Sequence, residues 1–203
     1  GMVLDITASN DLPKLLHTIV ERAARLLRAR SGGMYLCDHE KRESRCVVSY
    51  NTPHDYRGVV LKHGEGAAGR VAMTGRPLML DDYRLFEGRA SVFERDRPFS
   101  AVLSAPMIWQ DRVAGVIQVT EESKARRFTQ SDLELLMLFA NHAAIALART
   151  RMEEELKRYS EHLEELADER AGRLRESEKE LRSIKERLEY LIASNPAVIY
   201  SGK

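Results

Sequence analysis

A chain of 203 residues is long enough for one well-buried domain with an extended appendage, or for two small domains. Charged residues make up 31% and aromatics only 6%, so the excess charge belongs in a solvated, elongated part rather than in one compact globule. A formal net charge of +1 gives the molecule no electrostatic case for holding DNA or RNA.

Gly1-Met2 reads as a tag scar, with residues 1–4 as a leader and no signal peptide. No apolar run approaches 18 residues, so no membrane span is expected. Two cysteines, Cys37 and Cys46, neither build a disulfide framework nor match a zinc spacing, and a reducing cytoplasm is the expected location.

Residues 11–30 are predicted to form an amphipathic helix. Leu12, Leu15, Leu16, Ile19, Ala23, Leu26 and Leu27 recur at spacings of three and four. Asn10 or Asp11 can cap it, Pro13 suits the first turn, and Ser31-Gly32-Gly33 should stop it. Met34 to Cys37 and Cys46 to Tyr50 then read as a hairpin around a polar turn, with Val59 to Leu61 as a weaker third strand. Gly64-Glu65-Gly66 opens a short helix, closed by Thr74-Gly75-Arg76-Pro77. Leu78 to Leu80 form a brief strand, and the segment from Arg84 to Ser100 is polar and irregular, with Phe86, Phe93 and Phe99 embedded. Ala101 to Trp109 and Val113 to Thr120 make the clearest hairpin, turning at Gln110-Asp111. Apolar residues on both faces of these strands predict a central place in the sheet.

Thr129 followed by Asp132 marks the start of a last helix. One stripe, Leu133, Leu136, Met137, Ala140, Ala144 and Leu147, has small side chains that allow close approach to a sheet. A second stripe follows a heptad. Its a positions are Leu135, His142, Arg149, Leu156, Leu163 and Arg170, and its d positions are Leu138, Ile145, Met152, Tyr159, Leu166 and Arg173. No proline interrupts it and its outer positions are crowded with Glu, Lys and Arg, which is coiled-coil patterning. After Arg170 the phase jumps by four residues, a stutter that locally unwinds a supercoil. Leu174, Leu181 and Leu188 continue one row, with Ser177, Ile184 and Leu191 as the other. An unbroken helix from Ser131 to Leu191 would be about 90 Å long.

Gly64-Glu65-Gly66-Ala67-Ala68-Gly69-Arg70-Val71, Thr74-Gly75-Arg76-Pro77, Asp81-Asp82-Tyr83, Ser104-Ala105-Pro106-Met107, Gly115-Val116-Ile117 and Phe128-Thr129 through Asp132-Leu133 occur in the order typical of GAF domains. Residues 5–148 resemble that family. The resemblance implies an α+β fold: a six-stranded antiparallel sheet with flanking helices, a ligand pocket on the opposite face, and dimerisation through the terminal helices. Residues 149–190 resemble the coiled-coil linkers of sensor histidine kinases, which implies a long parallel dimeric coil. Residues 191–203, with Leu191-Ile192-Ala193-Ser194-Asn195-Pro196-Ala197-Val198-Ile199-Tyr200, resemble the opening of a PAS domain.

The glycines around Gly66 lack the lysine and hydroxyl residue of a nucleotide-binding loop, which favours a tight helix entry over a phosphate cradle. A ligand of a GAF domain would be covered by the irregular segment, so the pocket candidates are Tyr83, Phe86, Ser91, Phe93, Arg97, Phe99 and Ser104. The same aromatics could instead plug the space. The signature of cyclic-nucleotide-binding GAF domains is absent, and no cofactor motif is evident, leaving an unknown small ligand. Cys37 and Cys46 flank a hairpin turn centred near Lys41-Arg42, which would set them opposite each other as a cross-strand redox pair or as small buried hydrophobes. His162 lacks the proline-containing context of a kinase phosphoacceptor, and no metal-ligand spacing is present.

The dimer seam is expected at Leu135, Leu138, Ile145, Met152, Leu156, Tyr159, Leu163, Leu166, Leu174, Leu181, Ile184 and Leu188. Arg170, Gly172 and Arg173, at the stutter, are candidate switch residues. No catalytic constellation is visible, so the fragment reads as a sensory input that relays to downstream PAS or kinase domains of a two-component protein. The alternatives are the input of a diguanylate cyclase or transcription activator, a purely structural dimerisation module with a vestigial pocket, and a GAF-fold reductase dependent on Cys37 or Cys46.

Overall fold

The computed structural model describes residues 12–93, 100–123 and 126–194. It divides into two units, Gly1–Arg151 and Met152–Lys203. The elements in chain order are α1 (Leu12–Leu26), β1 (Ser31–Asp38), β2 (Glu43–Tyr50), β3 (Val60–Lys62), α2 (Gly66–Thr74), β4 (Leu78–Leu80), β5 (Ala101–Trp109), β6 (Arg112–Glu121) and α3 (Gln130–Ser194). Two short 3-10 turns, Tyr83–Leu85 and Ser91–Phe93, interrupt the segment between β4 and β5. The six strands form one sheet in the order β3-β2-β1-β6-β5-β4, and the five pairings are antiparallel.

The helix α1 ends earlier than the glycines suggest. Arg28 takes the left-handed conformation at φ 51°, and the amide of Ala29 donates to the carbonyl of Ala24 at 2.8 Å. That is a Schellman-type stop built without glycine. The guanidinium of Arg126 donates to the carbonyls of Leu27 and Arg28, satisfying the helix end from a distant part of the chain. Ser31-Gly32-Gly33 therefore opens β1 instead. A Cβ at Gly32 would lie 3.0 Å from Cγ1 of Val20 and 3.1 Å from the carbonyl of Gln118, so the glycine lets α1 lie close on the sheet.

The sheet buries both faces. Even positions of β1 and odd positions of β5 and β6 (Met34, Leu36, Leu103, Ala105, Met107, Ile117, Val119) join Leu12, Leu16, Val20 and Ala23 of α1, Leu27 just after it, and Leu136, Ala140, Ala143, Ala144 and Leu147 of α3 in one core. Tyr35, Cys46, Val102 and Val116 on the opposite face join Ala67, Ala68 and Val71 of α2, with Leu61, Tyr56, Tyr83, Ala90 and Phe93. β1 and β6 form the central pair. β5 lies next to the last strand, covered at its edge by only the three residues of β4. Apolar residues on both faces of β5 thus report two covered faces, not a central position.

The hairpin of β5 and β6 turns at Gln110 and Asp111, which both take positive φ, 48° and 60°. This is the mirror-image turn that matches strand twist. The α3 start is a reciprocal cap: Asp132 accepts from the Thr129 amide at 2.8 Å, and the Asp132 amide donates to the Thr129 hydroxyl at 3.2 Å. The first part of α3 has the length and hydropathy of a membrane span, contrary to the reading of the sequence. One face of it, Leu136, Ala140, Ala143, Ala144 and Leu147, is committed to the core beneath the sheet.

Candidate functional site

On the α2 face, one end of the sheet holds a small cavity of about 20 Å³. Gly32, Gly33 and Tyr35 of β1 and Gln118 and Thr120 of β6 form its floor. Cys46, Val48 and Ser49 of β2, Thr52, Tyr56 and Phe93 close it. The floor is polar because the strands carry hydroxyls and an amide on that face. Ser104 donates to the Gln118 amide oxygen at 2.9 Å, and the hydroxyls of Ser31 and Thr120 lie 2.6 Å apart, both pairs set by the β5–β6 and β1–β6 registers. With its oxygen held by Ser104, Gln118 presents its amide N–H groups as donors. A space this size holds one water, not a metabolite. The rings of Tyr56 and Phe93 meet edge to face, with centroids 5.0 Å apart, and occupy the volume above the floor.

The cover is tied down at several points. The Tyr83 amide donates to the carbonyl of Ser100 at 2.6 Å, and its hydroxyl accepts from the Ala90 amide at 3.0 Å. The Gly66 amide at the start of α2 donates to the carbonyl of Gly88 at 2.6 Å. Asp82 accepts from both the amide and the guanidinium of Arg84, and Arg70 lies 5.8 Å from the centroid of Phe86. The segment that reads as irregular in sequence is therefore a strapped lid among its described residues.

Of the five pocket candidates among the described residues, Phe93 alone lines the cavity. Tyr83 is buried in the same cluster without lining the cavity, and Phe86 packs against Tyr83 with centroids 6.0 Å apart. Ser104 is fully buried beside the floor, on β5 opposite Gln118, and touches it through its bond to the Gln118 amide. Ser91 is exposed, because the 3-10 turn that buries Phe93 points it outward. Arg97 and Phe99 fall outside the described residues, as do the cap candidates Asn10 and Asp11, residues 1–4, and Asn195 onward. The reading of the sequence missed Gly33, Tyr35, Ser49, Thr52, Tyr56, Gln118 and Thr120. Gln118 and Thr120, two polar residues at alternate positions of an apolar strand, were the available signal for a wet patch. Deleting the plug gives a direct check. Phe93→Ala should lower stability by about 2–4 kcal/mol and open room beside Tyr56, seen as a lower Tm that small aromatic solutes such as indole partly restore.

The cysteines are not opposite each other. Cys37 pairs with Ser44 and Cys46 with Tyr35, because the β1–β2 hairpin turns about Glu40 and Lys41, one residue earlier than expected, which shifts each pairing by two positions. Burial pushes the Cys46 thiol up to about 12, with Asp55 adding to the effect, and burial also raises that of Cys37. Both stay protonated at neutral pH, the inert state of a thiol. Cys46 should resist thiol reagents at pH 8 until denaturant is added. Since the folded protein holds the proton more tightly than the unfolded chain, this contribution is intact below about pH 9 and is lost as pH rises towards 12. Rapid labelling of Cys46 in native protein at pH 8 would contradict it. The glycine-rich stretch does serve helix entry: the Gly64 amide donates to the Gly69 carbonyl at 2.7 Å, and the Gly69 amide to the Glu65 carbonyl at 3.1 Å. Among the described residues no group of three or more His, Cys, Asp or Glu is arranged to hold a metal.

The sheet order, the helices on its two faces and this lidded cavity define a sensory-domain fold. The family model for the GAF domain matches residues 9–148, and the chain belongs to that family, a class of signalling input modules that often bind small ligands. Among solved structures, the chain is similar to the GAF domain of a phosphoenolpyruvate-protein phosphotransferase (ptsP) from Coxiella burnetii, with TM-score 0.65, 22% identity, and coverage of 74% of this chain and 90% of that one. It is also similar to the GAF-B domain of DevS from Mycobacterium smegmatis, with TM-score 0.58, 22% identity and coverage of 71% and 98%. A free methionine-R-sulfoxide reductase from Neisseria meningitidis shares the fold at TM-score 0.61 and 16% identity, over 72% of this chain and 84% of that one.

Proposed function

We propose that this chain is the input and relay segment of a multidomain signalling protein of the two-component type, working as a homodimer in the cytoplasm. The GAF unit receives a small ligand or a partner, and α3 transmits the change towards a downstream PAS or kinase module. The observation that carries this reading is the exposed apolar row of α3. Leu138 and Ile145 on the globular unit are 58% and 56% exposed, and Leu156, Tyr159 and Leu163 in the second unit are 60–70% exposed. A polar helix of this length without a partner surface is marginal in water, whereas a second copy of the same row would cover it. Leu135 and Leu166 are half-buried, with Leu135 also packed against the domain core, so a shift in the core has a route into the seam.

The lidded cavity supports a ligand-gated reading only if Phe93 and Tyr56 give way. The input is therefore coupled to the lid between β4 and β5. Arg170, Gly172 and Arg173 form the break where two coil packings can differ by little. Arg170→Leu with Arg173→Leu should lock one register and abolish signalling in the full-length protein; unchanged signalling would count against the switch. A native mass spectrum of the purified chain tests the whole reading. A dimer is expected, with a fixed extra mass per chain if a ligand is resident, and a monomer would sink the relay.

A further inference from the structure

The second unit carries more than an apolar row. Past the stutter, Leu174, Leu181 and Leu188 occupy a positions and Ser177, Ile184 and Leu191 occupy d positions, and the five apolar ones are 56–64% exposed. In this phase the flanking g positions are Arg173, Glu180 and Arg187, and the e positions are Glu178, Lys185 and Ile192. In a parallel, in-register pair of helices, each g residue faces the e residue five positions further along the partner helix. Arg173 then meets Glu178 of a second copy, and Glu180 meets Lys185. Both contacts join opposite charges, and each occurs twice in a symmetric dimer.

The stretch before the stutter has no such code. There the e positions are Glu153, Ser160 and Ala167 and the g positions Glu155, His162 and Glu169. The corresponding cross-pairs, Glu155 with Ser160 and His162 with Ala167, join no opposite charges. Its outer face is acidic, with Glu153, Glu154, Glu155, Glu161, Glu164 and Glu165, so two parallel copies gain nothing electrostatic there. From this contrast we infer that the segment from Arg173 to Leu191 is the clasp that selects a second copy of this chain, parallel and in register, through the Arg173–Glu178 and Glu180–Lys185 contacts. The inference rests on the coil reading above and specifies its partner orientation.

The present partners of these residues do not oppose it. Arg173 bonds Glu169 at 2.5 Å and Lys185 lies 3.9 Å from Glu189, both within the same helix and both more than half exposed. Exposed pairs of this kind contribute little and exchange readily. Their release costs less than the four cross-chain contacts return, because those contacts flank a desolvated seam.

The test uses the whole chain in three forms: wild type, Glu178→Lys with Lys185→Glu, and Arg173→Glu with Glu180→Lys. Each double variant makes all four of its own cross-chain contacts repulsive, while a mixture of the two restores all four as attractive. Sedimentation should give wild-type dimers, a roughly hundred-fold weaker dimer for each variant alone, and a heterodimer of wild-type tightness in the mixture. In 1 M salt the differences should shrink. Circular dichroism and the thermal midpoint of the globular unit, which these exposed positions do not touch, report folding separately. Wild-type dimers with variants that dimerise equally well, or a mixture that does not prefer the heterodimer, would overturn the clasp while leaving the coil intact. A monomeric wild type would overturn the coil reading itself.

Discussion

Leu181→Glu combined with Leu188→Glu is expected to convert the protein from dimer to monomer at micromolar concentration. Both side chains lie on the apolar row, 64% and 57% exposed in the isolated chain, and neither is a member of the two core clusters of the globular unit. Burying a leucine is worth about 1.5–3 kcal/mol, and the pair of substitutions removes four leucines from a dimer seam. The buried carboxylates that replace them would also repel across the two-fold axis. A loss on the order of 6 kcal/mol or more exceeds four decades in Kd. Sedimentation equilibrium reads the association, and the far-ultraviolet helix signal should fall as the Met152 to Ser194 stretch loses its partner. The melting of the globular unit should not change. If dimers persist, association runs through the GAF unit itself, and the coil is not what holds the copies together.

Gly69→Ala should instead damage the domain and leave the coil sequence untouched. A Cβ at Gly69 would run into the carbonyl oxygen of Lys62, far inside contact distance, with the amide of Gly64 at 3.4 Å. These are backbone atoms fixed by β3 and by the Gly64–Gly69 hydrogen bond, so they cannot swing aside as a side chain would. Overpacking of this kind costs about 3 kcal/mol, and a domain of this size should lose roughly 10 °C in Tm. A melting curve equal to wild type would show that the α2 entrance can relax. Gly172→Ala is the matched contrast, since its added Cβ meets nothing within 4 Å. It should stabilise the helix by about 1 kcal/mol. The same glycine replacement thus has opposite signs at the two sites, and only the surroundings explain why.

The two families of residues behind these predictions differ in how they can be read. Leu181 and Leu188 declare themselves through spacing, because a heptad is a property of neighbouring turns of one helix. Gly69 declares only that a turn is near. That its hydrogen-side face lies against Lys62 depends on β3 folding back onto α2, which no local pattern encodes. The cavity is a stronger case. Phe93 was visible as an aromatic in a long loop, but its partners come from β1, β2 and β6 and from the loop after β2. Gly33, Tyr56 and Gln118 lie far apart in the chain, and it is strand order that brings them together. The cysteine pairing shows the same limit, since a turn centred one residue earlier than expected moved Cys46 from Cys37 to Tyr35.

The amino-acid sequence by itself therefore determined the periodic and punctuated features: the amphipathic α1, the hairpin turning at Gln110-Asp111, the Thr129–Asp132 cap, and the exposed heptad row of α3 with its change of phase. Each follows from 3.6-residue or two-residue periodicity, or from residues whose side chains bond their own backbone. It also placed the chain near the GAF family through motifs in series. Only the tertiary structure decided the strand order, the early end of α1 at Arg28, the strapping of the lid through Tyr83 and Gly66, and the small polar cavity under Phe93. Those depend on contacts between residues distant in the chain, whose energies are set by register and packing and leave no periodic trace.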